Sequence, residues 1–188
     1  MMKLVLMILV MLPGMFACTK PEDKSVKSLA DVAMKEISYS GGLITFSIPS
    51  HWKEEYEKDG GGMFYEDSAS SGTLRLNVLS FDNTGSSPID VESAARKQAE
   101  GYKGESTVLR EGNAMARYDR QATEDGQPIT LRTWAIYNHV GDTHSRVVVF
   151  TYTVPSAQFG DEKHVKEIEM IDREIRKARF AEISGTVQ

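Results

Sequence analysis

One cysteine, Cys18, constrains this 188-residue chain more than any other residue. It closes an N-terminal segment in which Lys3 is the only charge before it. The longest apolar run of the chain, Leu4 to Leu12, follows Lys3. Pro13 and Gly14 break the run, and Met15-Phe16-Ala17 leads to the cysteine. A basic start, a short apolar stretch and a small residue before the cut define a secretory signal peptide. The run is too short for a spanning helix, which needs about 20 apolar residues. Residues 1–17 are therefore expected to be removed. No second cysteine exists to pair with Cys18, so the fold can hold no disulfide and must rest on its core alone.

The Ala17-Cys18 junction resembles the lipobox of bacterial lipoproteins, although Met15 and Phe16 depart from the leucine-led pattern. The resemblance implies a diacylated thiol, an acylated new N-terminus, palmitate-type chains and a membrane-bound protein. Each buried methylene adds about 0.8 kcal/mol, so several chains hold firmly where one does not. Thr19 in place of Asp implies, by the same resemblance, the outer membrane of the bacterial cell envelope, facing the periplasm. An ordinary signal peptide with a chance cysteine is the alternative. Used as an anchor, Cys18 cannot also serve as a nucleophile or a metal ligand.

Residues 18–35 read as the lipidated cysteine and a flexible tether. Lys20-Pro21-Glu22-Asp23-Lys24-Ser25 is charged and aperiodic, and Leu29 to Met34 has room for a short helix. The formal net charge of −5 argues against nucleic acid and against binding anionic headgroups by charge.

The domain is expected over 36–180, with a frayed tail at 181–188. Ile44, Phe46 and Ile48 alternate with Thr45 and Ser47, the mark of a half-buried strand, and Pro49 ends it. Thr73 to Phe81 alternates in the same way. Asp90 reads as the N-cap of a helix bearing Val91, Ala94, Ala95, Ala99 and Tyr102 on one face. Small alanines there predict close packing on a sheet. Four strands follow, from Ser106, Ala114, Pro128 and Thr143, with a hairpin signal at Asp125-Gly126. The last of these, with Val147 to Phe150 and Tyr152, is apolar on both faces, as a covered central strand would be. A second helix is expected over Glu162 to Ala178. Its apolar stripe is Val165, Ile168, Ile171, Ile175 and Ala178, and its wet face includes Glu167 and Asp172. Phe180 is expected to pack back on the sheet.

The segment Phe46-Ser47-Ile48-Pro49-Ser50-His51-Trp52 resembles the F-x-I-P-x-x-W opening of PsbP-like domains, among them DcrB-like lipoproteins. That resemblance implies an α+β fold: one antiparallel sheet of six or seven strands flanked by helices, an α/β/α sandwich. It speaks to fold, not to activity.

No pattern of catalytic residues emerges. His51, His139, His144 and His164 show no zinc spacing. His139 and His144 flank the Gly141-Asp142 turn and could share a metal with Asp142, but exposed hairpin histidines are the plainer reading. Gly60-Gly61-Gly62 lacks the lysine and strand–helix context of a phosphate loop, and Asp82-Asn83-Thr84-Gly85 lacks a calcium-loop pattern. Arg75, Arg117 and Arg132, with Trp134, are placed as an interaction surface on one polar side of the sheet; an ion-pair ladder is the simpler alternative. No cofactor or metal is expected. The functional expectation is a membrane-anchored, non-enzymatic module that binds a protein partner. The alternatives are an immunity lipoprotein that neutralises a secreted toxin, and a hydrolase with a dispersed site.

Overall fold

The computed structural model describes residues 32–58, 60–68, 71–82, 89–140 and 144–181. The signal segment, Cys18, most of the tether, the Gly141-Asp142 turn and the tail beyond residue 181 lie outside them.

Among the described residues ten strands and two α-helices form an α+β fold. Seven strands make the large antiparallel sheet. They are β3 (Lys53–Tyr56), β4 (Gly62–Tyr65), β5 (Thr73–Asp82), β6 (Glu105–Val108), β7 (Ala114–Glu124), β8 (Gln127–Val140) and β9 (His144–Pro155). Their order across the sheet is β3-β4-β5-β9-β8-β7-β6, so β6 to β9 form the expected meander and β9 is central. The Asp125-Gly126 hairpin is present, with both residues at positive φ (49° and 78°) and Glu124 paired with Gln127.

The expectation of one sheet is corrected. A second sheet of three strands has β2 (Ile44–Pro49) between β1 (Met34–Tyr39) and β10 (Arg179–Phe180). Phe180 packs against the core as expected, and it does so as part of a strand, paired with Ile44. The first strand starts at Met34, two residues before the domain boundary expected at residue 36.

The small sheet and helix α2 (Glu162–Ile175) cover one face of the large sheet. Ile44, Phe46 and Ile48 bury there as the alternation predicts. Phe46 meets Phe64 and Phe150 edge-on, with ring centroids 5.3 and 5.0 Å away. Such aromatic pairs add about 0.5–1.5 kcal/mol beyond burial. Trp52 of the opening motif is buried in the same core.

Helix α1 (Val91–Gly101) lies on the other face. Asp90 caps it as expected, accepting from the Ser93 N–H at 3.0 Å. Ala95 and Ala99 pack on Ala114, Ala116 and Ala135, so small side chains meet small ones and the helix sits close. The approach continues past the helix end, where a Cβ on Gly104 would overlap the Arg117 carbonyl.

The stripe of α2 is rotated from the one expected. Val165 is 41% exposed, whereas His164 and Glu167 are buried beside Ile168, Ile171 and Ile175. Polar partners on the sheet cause the rotation, and the next subsection describes them. The helix also stops at Ile175, not Ala178. Tighter bonds take over, such as Ala178 N–H to the Ile175 carbonyl at 3.1 Å, and turn the chain toward β10.

Candidate functional site

The candidate surface of Arg75, Arg117, Arg132 and Trp134 is not one surface. Cross-strand register puts Arg75 level with Thr151, Thr133 and Tyr118, on the α1 face. Arg117 is level with Trp134 and Phe150, on the α2 face, and Arg132 lies on that face too. Trp134 is fully buried and cannot meet a partner. Its indole N–H donates to Asp172 Oδ1 at 2.8 Å, beneath α2. Arg117 joins the same oxygen at 3.2 Å and also pairs with Glu105. Arg132 is held by Asp119, 2.9 Å from Nη2 to Oδ2, and lies over the Phe159 ring. Arg117 and Arg132 do share a polar cleft of about 270 Å³, but every guanidinium there already has a carboxylate.

Asp142, the third member of the candidate metal group at the β8–β9 turn, lies outside the described residues. Register matches His139 with Ser145 and His144 with Val140, so the two positions are one step out of phase. His144 Nε2 lies 3.2 Å from Asp82 Oδ1 instead. Among the described residues no group of three His, Cys, Asp or Glu side chains could hold a metal ion.

A buried polar knot secures the start of α2. The Tyr152 hydroxyl contacts His164 Nδ1 at 2.9 Å and donates to Glu167, and His164 lies 3.3 Å from Glu167. Burial first, and then the Glu167 carboxylate, push the Tyr152 hydroxyl far above the ordinary tyrosine range. Tyr152 and His164 are almost wholly enclosed, which suits a structural bond and not a reacting group.

The open feature is on the other face. The large sheet is seven strands wide, roughly 29 Å at about 4.8 Å per strand. Helix α1 has 11 residues and covers only the β6–β8 half. Beside it a groove of about 400 Å³ remains. Its floor is Leu79, Phe81, Ala135, Tyr137, Val147 and Val149; its wall is Ile89, Val91, Ala94 and Gln98. Leu79, Phe81 and Ile89 are 50%, 46% and 42% exposed. Gln98 donates to the Tyr118 hydroxyl at 3.0 Å on one flank. Arg146 also borders the groove, but strand alternation sends its side chain to the opposite face, with Val148.

Beyond the groove, the same face of the sheet changes character. Successive rows of side chains read Leu79, Val147 and Tyr137, then Asn77, Val149 and Ala135, then Arg75, Thr151 and Thr133. The last row is polar. The Thr133 hydroxyl and Arg75 Nε are buried there with no hydrogen-bond partner among the described residues, as is the Thr153 hydroxyl two positions along β9. Arg75 Nη2 reaches Glu124 at 3.2 Å, on the curled end of the β7–β8 hairpin. Sequence patterning missed this groove, because Val147 and Val149 read as one face of a covered central strand, and Thr73 to Phe81 as a half-buried strand with its other face polar. The short helix between Asp90 and Gly101 was the available signal that the cover would be incomplete.

The fold and groove define the class: an antiparallel α+β domain with one face of its sheet partly open. No family model matches the chain, and no curated protein matches it. Solved structures do. A Bacteroides thetaiotaomicron protein is similar over 79% of this chain, at 19% identity and a TM-score of 0.53; the chain spans about half (49%) of that one's length. LpqN of Mycobacterium tuberculosis, described as involved in cell envelope biogenesis, is similar over 80% of this chain and 92% of its own, at 11% identity and a TM-score of 0.55. Cyanobacterial PsbP from Synechocystis matches over 84% of this chain and 98% of its own, at 12% identity and a TM-score of 0.36.

Proposed function

We propose that the protein is a non-enzymatic binding module, anchored by lipid at Cys18 to the periplasmic side of the outer membrane, and that it binds through the groove beside α1. One observation carries the reading: three large apolar side chains stand about half exposed around one groove of ligand size. Exposed apolar surface gathered in one concavity marks a place where something binds. The lipobox-like Ala17-Cys18 junction supports the anchor, and LpqN, a similar fold, is described as involved in cell envelope biogenesis. Among the described residues no helix is long and apolar enough to cross a membrane.

The test is crosslinking in whole envelopes with the full chain, affinity-tagged after Gln188. An envelope component recovered with the wild type but lost from Leu79→Asp and from Cys18→Ser supports the module and its anchor. Equal recovery by all three sinks the reading. Incorporation of labelled palmitate by the wild type, and none by Cys18→Ser, is the expected result for the anchor itself.

A further inference from the structure

Resting on that reading, we infer that the groove takes a single-chain anionic amphiphile: an acyl chain on the apolar floor and an anionic head beyond it, on the adjoining Arg75–Thr151–Thr133 row of the same sheet face. Three observations converge. The volume of about 400 Å³ lies in the range of small-ligand sites, roughly 300–1,000 Å³, and is too small for a protein helix laid along it. The sheet face that runs on from the groove is graded. From the Phe81 and Ser145 row to the Arg75 and Thr151 row is six residues along β5, about 20 Å at roughly 3.4 Å per residue. Over that distance the surface passes from phenyl and aliphatic groups to a guanidinium and hydroxyls. That is the layout of a chain with a head at one end.

The polar end, moreover, is under-used. Buried polar groups normally have partners, and those that lack one call for an explanation. Here Arg75 Nε, the Thr133 hydroxyl and the Thr153 hydroxyl stand on one face within two rows, with none among the described residues. Thr133 is 2% exposed and Thr153 8%. An anionic oxygen at this row would accept from Arg75 and from the hydroxyls together. Glu124 competes for Arg75 from a hairpin end, at 3.2 Å. A carboxylate head and a phosphate head share this chemistry.

The experiment uses the full chain carrying Cys18→Ser, purified without detergent. Hexadecanoate, hexadecanol and lysophosphatidic acid are titrated by calorimetry against this protein and its variants. Expected is saturable binding of the acid at least tenfold tighter than the alcohol, since a charge-assisted bond contributes about 1.5–3 kcal/mol. Arg75→Gln should erase that preference while leaving the alcohol unchanged, and Glu124→Gln should tighten the acid. Leu79→Asp, and separately Ala94→Trp, which fills the groove, should weaken both ligands tenfold or more. Thermal melts on each variant separate lost binding from lost folding. Tighter lysophosphatidic acid than hexadecanoate identifies a phosphate head, and the reverse a carboxylate. Equal affinity for acid and alcohol overturns the inference, as does binding indifferent to Leu79→Asp and Ala94→Trp. If no amphiphile binds but crosslinking still depends on Leu79, this inference falls and the binding module stands. If crosslinking ignores Leu79 as well, both fall.

Discussion

Trp134 donates its indole N–H to Asp172 Oδ1 at 2.8 Å, and through that bond α2 is seated over the middle of the large sheet. Asp172 is also held by Arg176, 2.6 Å from Nε to Oδ2, and by Arg117. One carboxylate thus joins a helix to two strands. Asp172→Ala would leave the indole N–H buried and unpaired, which costs about 1–3 kcal/mol. Chemical denaturation should show that loss, and Trp134→Phe in the same background should add little to it.

The same residue sets an acid limit. Burial alone would raise the Asp172 pKa, but the Arg176 and Trp134 donors, with the charges of Arg176 and Arg117, hold it below the usual carboxylate value. A carboxyl depressed in the folded state contributes stability above its unfolded pKa of about 3.9, and loses it as pH falls through the lower folded value. Melting temperature followed from pH 6 down to pH 2 should therefore fall less steeply in Asp172→Asn than in the wild type.

The knot at Tyr152 makes a steric prediction. A Cβ on Gly72 would overlap the Tyr152 ring and hydroxyl. Gly72→Ala should destabilise the fold by about 1–3 kcal/mol, the usual effect of overpacking. Tyr152→Phe should also destabilise it, by roughly 1–3 kcal/mol, because Glu167 loses its buried donor. In a double-mutant cycle the two should not add. Full additivity would mean that Gly72 and Tyr152 do not press on each other.

On α2, Val165 and Ile171 separate the expected stripe from the observed one. Val165 is 41% exposed and Ile171 4%. Val165→Ala should change stability by less than about 0.5 kcal/mol, and Ile171→Ala should cost about 2–5 kcal/mol. Urea midpoints for the pair decide which face of the helix is buried.

Groove residues should behave unlike core residues of the same type. Phe81→Ser, at 46% exposure, is expected to leave the melting temperature within about 2–4 °C of the wild type. Phe150→Ser, in the enclosed core, should lower expression of folded protein sharply. A large loss from Phe81→Ser would make its ring a piece of the core and not of a binding surface.

Strand order within the meander was legible because alternation and the Asp125-Gly126 turn fix register locally. The cap at Asp90 and the alanine face of α1 were legible for the same reason, since each signal lies within a few residues. What escaped depended on distant partners. Glu167 and Asp172 look like a wet helical face until Tyr152 and Trp134 are known to stand opposite them. The two-residue strand Arg179–Phe180 has no period of its own; only Ile44 and Thr45 make it a strand. Arg75 and Arg117 were grouped by residue type, yet register places them on opposite faces of one sheet.

The small sheet has a kinetic consequence. Its middle strand, β2, is complete only when β10 arrives, and Arg179 closes onto Glu36 across 143 residues of chain. Contacts so far apart in sequence form slowly, because a long loop must close before they are rewarded. A chain emerging from a ribosome therefore cannot complete this small sheet until Arg179–Phe180 is free. Until then Ile44 lacks its full cover.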